Sequence, residues 1–143
     1  MRYLFLVLLL ISFSFSNDFR RDGTRKVVVD STAKLMWIDN FSNVKNRLNH
    51  SDATDYCESL SYAGYDNWRL PTIEEFELIV DKTNERSYIN RAFKFNMPVG
   101  YWASKAHWRT FWFYADYMFF VSGTPYYDSR HKKKFVRCVR DIN

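Results

Sequence analysis

Residues 66–76, DNWRLPTIEEF, decide the fold because they combine an extended lead-in with a helix-start signal. The hydroxyl of Thr72 can accept a hydrogen bond from the amide of Glu75, and the Glu75 carboxylate can accept one from the amide of Thr72, which is the reciprocal pattern of a capping box. Pro71 is well tolerated just before such a start. A short helix is therefore predicted to follow. Its buried stripe is predicted to consist of Ile73, Phe76, Ile79 and Val80.

Arg69 is the unusual residue of this stretch, since an always-charged side chain stands between two apolar ones. Such an arginine can bind a ligand, take part in catalysis or hold the fold together. We predict that Trp68 and Leu70 face inward, and that Arg69 pairs with a carboxylate or with loop carbonyls that an irregular fold would otherwise leave unsatisfied. Trp68, Arg69, Leu70, Pro71 and Thr72 together are thus assigned a structural role.

A second helix is predicted upstream of this motif. Ser51 can cap it, and the acidic residues Asp52 and Asp55 suit its first turn through the helix dipole. Gly64 is placed to end it in a left-handed conformation. The apolar stripe at i, i+3, i+4 and i+7 consists of Ala53, Tyr56, Cys57 and Leu60, so Cys57 is expected to point into the core.

Short strands are predicted on both sides of the helices. Residues 26–29 and 35–38 are expected to pair as a hairpin. Segments 39–49 and 82–100 are polar or irregular and are predicted to be loops, with Ile89 and Phe93 returning to the core. Later strands are expected at 101–104, 110–114, 117–121 and 135–140, with a turn at 122–125. The predicted fold class is α+β, with two short helices packed on a small twisted antiparallel sheet with long loops.

The two cysteines, Cys57 and Cys138, are the whole cysteine content of the chain. In an oxidising compartment they should bond to each other. Closing the loop between them would constrain the unfolded chain by about 4.5 kcal/mol in the loop-entropy model. The alternative is a reactive thiol, which needs a nearby base, and the histidines lie in unrelated sequence contexts.

The first 16 residues have the outline of a secretory signal peptide, with Arg2 before an apolar run and small residues before Asn17. A permanent membrane anchor is the alternative, but the run is shorter than the ~18 residues of a spanning segment. Residues 17–143 are then expected to form a single exported domain, periplasmic, on the cell surface or secreted. No further transmembrane segment is predicted.

Four landmarks in order carry a family resemblance: VVVDSTAKLMWID, DYCESLSYAGYDNWRLPTIEEF, YIN-RAF followed by GYWAS, and FVRCVRD. Together they resemble the Lcl C-terminal domain family, from about Val27 to Asp141. The resemblance implies a variant of the C-type-lectin fold, with a disulfide from the first helix to the last strand at Cys57 and Cys138. Lys34 departs from the family, which usually has glycine there, so the turn type of the first hairpin is left open.

One class of enzymes shares part of this resemblance, because the Arg-Leu-Pro-Thr step recurs in formylglycine-generating, sulfatase-modifying domains. That chemistry needs reactive cysteines beyond a structural pair. Glu74 and Glu75 are explained by the helix dipole, and the sequence shows no phosphate loop, nucleophile elbow or metal-spaced cluster. The motifs of calcium-dependent lectins are also missing. No cofactor, metal or catalytic residue is predicted, and an enzyme of the sulfatase-modifying type is kept as an alternative.

The densest charge is the run from Arg130 to Lys134, which includes His131. Arg130, Lys132, Lys133 and Lys134 are candidates for binding an anionic polysaccharide or an envelope protein. The resemblance favours the first partner, because the adhesin domain that names the family is associated with sulfated glycosaminoglycans. The alternative is a solvated turn that protects a sheet edge. No nucleic-acid partner is predicted.

The aromatic stretch from Trp108 to Phe120 is too dense for every ring to face inward on alternating strands. Trp108 and Trp112 are therefore candidates for stacking on sugars or packing on a partner. In the alternative, loops and helices of the same domain cover both faces. The sequence thus predicts an exported, non-enzymatic binding or adhesion module. A purely structural envelope component is the other non-enzymatic alternative.

Overall fold

The computed structural model describes residues 16–97 and 99–143. The predicted signal peptide, residues 1–16, lies outside the described residues except for Ser16. In the described part of the chain, no helix has the length and apolar character needed to cross a membrane.

The first sheet is four-stranded and antiparallel, with the strand order β1-β2-β3-β9. Its strands are β1 (Phe19–Asp22), β2 (Val27–Asp30), β3 (Leu35–Ile38) and β9 (Val139–Asp141). The predicted hairpin is β2–β3, in which Val27 pairs with Ile38 and Val28 with Trp37. Lys34 in its turn has φ +58°, so a lysine occupies a left-handed position that favours glycine.

This sheet lies between two apolar clusters because consecutive residues of a strand point to opposite faces. Val28 and Trp37 join one cluster with Phe76. Val27 and Ile38 join the other, which also contains both cysteines. β2 and β3 are therefore nearly continuous apolar runs, buried on both faces.

The second sheet has five strands in the order β4-β8-β5-β6-β7. They are β4 (Arg47–Leu48), β5 (Gly100–Ala106), β6 (Tyr114–Phe119), β7 (Thr124–Ser129) and β8 (Lys134–Phe135). Its pairings are antiparallel except that β5 runs parallel to β8 at Tyr101 and Phe135. Two sheets thus replace the single one that the sequence predicts.

The helices are α1 (Phe41–Val44), α2 (His50–Glu58) and α3 (Ile73–Ile79). The capping box of α3 is confirmed, with Thr72 and Glu75 in the predicted roles. The predicted cap of α2 is wrong: Asn49, not Ser51, accepts a hydrogen bond from the amide of Asp52. The residue that caps the C-terminus of α2 is Ser59, in a right-handed conformation. Gly64, at φ +85°, instead serves the turn that follows.

Other boundaries also differ from the sequence prediction. The segment 39–49 contains α1 and β4, and the proposed turn at 122–125 runs into β7. The predicted strand 110–114 is wrong, because a 3-10 turn, Trp108–Thr110, and two left-handed residues precede β6. The predicted last strand splits into β8 and β9, since Arg137 and its neighbours bond to other parts of the fold.

The disulfide is confirmed. Cys57 of α2 and Cys138, just before β9, are bonded with Cα atoms 5.6 Å apart. Both residues are buried in the second apolar cluster. The α+β class is likewise confirmed, with few short helices packed on antiparallel sheets and one disulfide linking a helix to the C-terminal strand region.

Candidate functional site

The Arg69 guanidinium is fully engaged by the protein itself. Its Nη1 and Nη2 donate to the two carboxylate oxygens of Glu75, and Nε and Nη2 donate to Asp141. Nη1 also reaches the carbonyl of Leu70. The backbone of Arg69 pairs with Val139 in both directions at 2.9 Å. The side chain therefore links the start of α3 to the last strand.

The electrostatics of this arrangement favour the charged forms of all three groups. Burial opposes the ionisation of Glu75, but hydrogen bonds from Arg69 and from the Thr72 amide outweigh it and lower the pKa of that carboxyl. The hydrogen bond from Arg69 is the main reason that the pKa of Asp141 is lowered. The two carboxylates raise the pKa of Arg69 in turn.

A second ionic centre, buried in the fold, was not identified from the sequence. Asp39 is fully buried and accepts hydrogen bonds from Arg21 Nε at 2.6 Å and Arg137 Nη1 at 3.4 Å. It also accepts from the backbone amides of Lys94 and Phe95 at 2.9 and 3.1 Å. Only the tertiary fold brings these groups together, since they come from four separated segments.

Asp39 therefore fixes the end of the irregular segment 82–97 against the core. The start of that segment is also held, because the amide of Asp81 donates to the carbonyl of Tyr88. Within it, the side-chain amides of Asn84 and Asn96 donate to the carbonyls of Ile89 and Ser87, at 2.8 and 3.0 Å. Hydrogen bonds at both ends and within the segment therefore hold it in a defined conformation.

This segment forms a cavity of about 630 Å³, here called the cationic cavity. Three exposed cationic side chains, Arg86, Arg91 and Lys94, line it, with no ion pair of their own among residues 16–97 and 99–143. Its other lining residues are Thr83, Asn84, Glu85, Ser87 and Phe93. Three cations against one carboxylate, beside hydroxyl and amide groups, form a chemically suitable site for sulfate or carboxylate groups.

The predicted basic run is dispersed by the fold. Lys134 is half-buried; its Nζ donates to Asp128 at 2.9 Å and lies 3.8 Å from the centre of the Tyr117 ring. Lys132 pairs with the same carboxylate at 3.1 Å. Lys133 is exposed, and its carbonyl accepts from Arg47. Lys134 thus has a packing role, which leaves Lys132 and Lys133 as the outward-facing lysines of the run.

Arg130 is held by a buried histidine. Its Nε donates to Nδ1 of His50 at 3.0 Å, and the other ring nitrogen of His50 donates to the carbonyl of Ala103 at 2.8 Å. Its Nη1 donates to the carbonyl of Trp112. Burial is the main cause of a lowered pKa at His50. Arg130 therefore connects the buried His50 to the backbone of the aromatic segment at Trp112.

The aromatic segment between β5 and β6 is exposed. Trp108, Phe111, Trp112 and Phe113 are 65, 79, 57 and 59% accessible, so the alternative in which the domain covers them is wrong for these four rings. The last three also line a cavity of about 370 Å³ with Asn49, Ser51, Asp52, Arg130 and His131. The fold thus brings the predicted basic residue Arg130 to Trp112, one of the two predicted tryptophans.

The described residues contain few groups of side chains arranged as in a catalytic site. His107 and Asp116 form a close, part-buried pair, and no hydroxyl or thiol bonds to the ring. No group of three metal-ligating side chains occurs among residues 16–97 and 99–143. Both cysteines of the chain are in the disulfide, which leaves no thiol for formylglycine-type chemistry.

The fold and these sites define a small disulfide-linked α+β domain whose conspicuous surfaces are a cationic cavity and an exposed aromatic loop. The Lcl C-terminal domain model matches residues 26–140, which is most of the chain. The protein belongs to the Lcl C-terminal domain family. No curated protein matches its sequence.

Proposed function

We propose that this protein is an exported, non-enzymatic binding module that recognises an anionic polysaccharide. The observation that carries the proposal is the cationic cavity, where Arg86, Arg91 and Lys94 outnumber the single carboxylate, Glu85, and form no ion pair with any described residue. Unpaired cations beside a concavity attract polyanions and remain free to bond with them.

The position of the cavity supports this role. It lies on an irregular segment, where binding residues are common, and that segment is tied to the core through Asp39. A site held in place loses less conformational entropy when a ligand binds. Arginine suits sulfate and carboxylate groups because its planar fork can donate two parallel hydrogen bonds.

Export is part of the same proposal. The apolar N-terminal run and the Cys57–Cys138 bridge both suit an oxidising compartment. Mass analysis of the protein isolated from its native host, with and without reductant, tests this point: two free thiols and an intact N-terminus would contradict it.

The binding proposal is tested by titrating the protein with a sulfated polysaccharide of the heparin type at low and high salt. The triple variant Arg86→Gln/Arg91→Gln/Lys94→Gln should weaken binding by about tenfold or more, because each exposed ion pair contributes up to ~1 kcal/mol. A charge-matched control, Lys26→Gln/Lys45→Gln/Lys105→Gln, removes three exposed cations outside the cavity.

The control should change affinity much less than the cavity variant. Equal losses in both variants would show that only net charge matters, and absence of binding at low salt would refute the polysaccharide proposal. A further variant, Lys132→Gln/Lys133→Gln, measures the basic run separately. If it alone abolished binding, the site would lie at that run and not at the cationic cavity.

A further inference from the structure

The exposed aromatic loop is not used by the proposed function. It is defined here as the aromatic tip and consists of Trp108, Phe111, Trp112 and Phe113, each more than half exposed. Soluble domains rarely expose so much contiguous apolar surface without a partner. The most exposed ring, Phe111 at 79%, has no polar atom with which to orient a sugar.

Much of the backbone of the tip is hydrogen-bonded locally, within the tip and to neighbouring residues. The amides of Phe111, Trp112 and Phe113 donate to the carbonyls of Trp108, His107 and Thr110. The carbonyls of Trp112 and Phe113 accept from the side chain and the amide of Arg130. This pairing lowers the cost of entering the membrane interface, because hydrocarbon offers no water to exposed peptide groups.

The conformation of the tip is costly for its sequence. Phe111 and Trp112 are consecutive left-handed residues, with φ of 52° and 61°. Glycine adopts this conformation freely, whereas bulky side chains are strained there. Aromatic side chains at these two positions are therefore better explained by a surface role than by the turn geometry.

Positive charge flanks the tip. The two segments that meet there, residues 105–113 and 129–135, contain arginine and lysine but no acidic residue. Lys105, Arg109, Lys132 and Lys133 are exposed. The nearby carboxylates Asp116 and Asp128 face His107 and the pair Lys132 and Lys134. Asp52, at the rim of the adjoining cavity, accepts from Asn49.

We propose that the aromatic tip inserts into the interface of an anionic lipid bilayer. Tryptophan rings prefer the headgroup region, phenylalanine rings reach the acyl boundary, and flanking cations meet anionic headgroups. This combination of exposed rings, a largely hydrogen-bonded backbone and basic flanks favours a lipid surface over a sugar platform or a second copy of the chain. The inference is independent of the cationic cavity.

Intrinsic fluorescence tests the proposal, because the other tryptophans, Trp37, Trp68 and Trp102, are buried. Vesicles of phosphatidylcholine mixed equally with phosphatidylglycerol should bind the protein and shift its emission to the blue. Brominated acyl chains should quench that emission. Phe111→Ser/Phe113→Ser should lower the vesicle partition coefficient by about tenfold or more, while Leu78→Ser, an exposed apolar residue of α3, should leave it unchanged.

Trp108→Phe/Trp112→Phe is the second variant. It should still bind the vesicles but lose the quenching, which locates the insertion at the tip even if the serine variant folds poorly. Vesicle binding by the parent protein without quenching, or no vesicle binding by the parent, would overturn the proposal. Loss of polysaccharide binding in the serine variant, with no lipid binding by the parent, would identify a sugar platform. Concentration-dependent dimers that the serine variant abolishes, again without lipid binding, would identify self-association.

Discussion

Arg69 and Glu75 are joined by two parallel hydrogen bonds, from Nη1 to Oε1 and from Nη2 to Oε2, each 2.7 Å long. The same carboxylate accepts from the amide of Thr72 at 2.8 Å. One glutamate therefore completes the capping box of α3 and fixes the arginine that reaches Asp141.

Replacing Arg69 by lysine should destabilise the domain by about 1–3 kcal/mol, because a single ammonium cannot reproduce a fork that serves two carboxylates. Urea unfolding of Arg69→Lys measures this loss. Polysaccharide affinity of the folded fraction should be unchanged, since every donor of the fork faces the protein. Loss of affinity at full stability would instead assign Arg69 to a binding site.

The lowered pKa values of Glu75 and Asp141 predict acid sensitivity. Their contribution to stability should be complete above the unfolded-state values of 4.5 and 3.8, and should be lost as pH falls through the lower folded-state values. Unfolding midpoints measured across the acid range test this. Glu75→Gln should flatten the pH dependence, and an unaltered slope would contradict the assignment.

The lowered pKa of His50 predicts a separate dependence of stability on pH, near neutrality. Its pKa is lowered, mainly by burial, so the unfolded state binds the proton more readily. The stability contribution should be full above the unfolded value of 6.5 and should decline as pH falls below it toward the folded value. His50→Gln should remove this decline. His131→Gln, at an exposed histidine, is the matched control and should retain it.

The disulfide should account for much of the net stability. Cys57→Ala/Cys138→Ala is expected to lower the free energy of unfolding by about 4 kcal/mol, because the 81-residue separation of the cysteines makes the closed loop long. Chemical unfolding with and without reductant checks this value. Equal stability of the oxidised and reduced parent would show that the bridge has no net effect.

Replacing Asp39 should lower the free energy of unfolding more than replacing an acidic residue on the surface. Asp39→Ala leaves the buried Arg137 without its carboxylate and should cost about 3–5 kcal/mol. Hydrogen exchange should also rise at the amides of Lys94 and Phe95, which lose their acceptor. Asp66→Ala, at an exposed acid, provides the comparison. Equally faster exchange of these two amides in both variants would argue against a local anchoring role for Asp39.

Local chemistry explains what could be predicted from the sequence. A capping box needs only residues three apart, so the start of α3 was predictable from Thr72 and Glu75. The N-cap of α2 was mispredicted because both Asn49 and Ser51 can cap, and the choice depends on packing. The strand predicted at 110–114 failed for a related reason: aromatic residues favour strands, but the hairpin connection placed Phe111 and Trp112 in a left-handed turn.

The sequence by itself determined the family, the α+β class, the disulfide partners and the helix that begins after Thr72. These features depend on residue identity and on short spacings. Tertiary structure alone decided which charged side chains from distant parts of the chain form ion pairs. It joined Asp39 to Arg137, 98 residues further along the chain, while leaving Arg86, Arg91 and Lys94 around a cavity. Charge pairing depends on three-dimensional distance, and residues far apart in the chain set that distance only when the core packs.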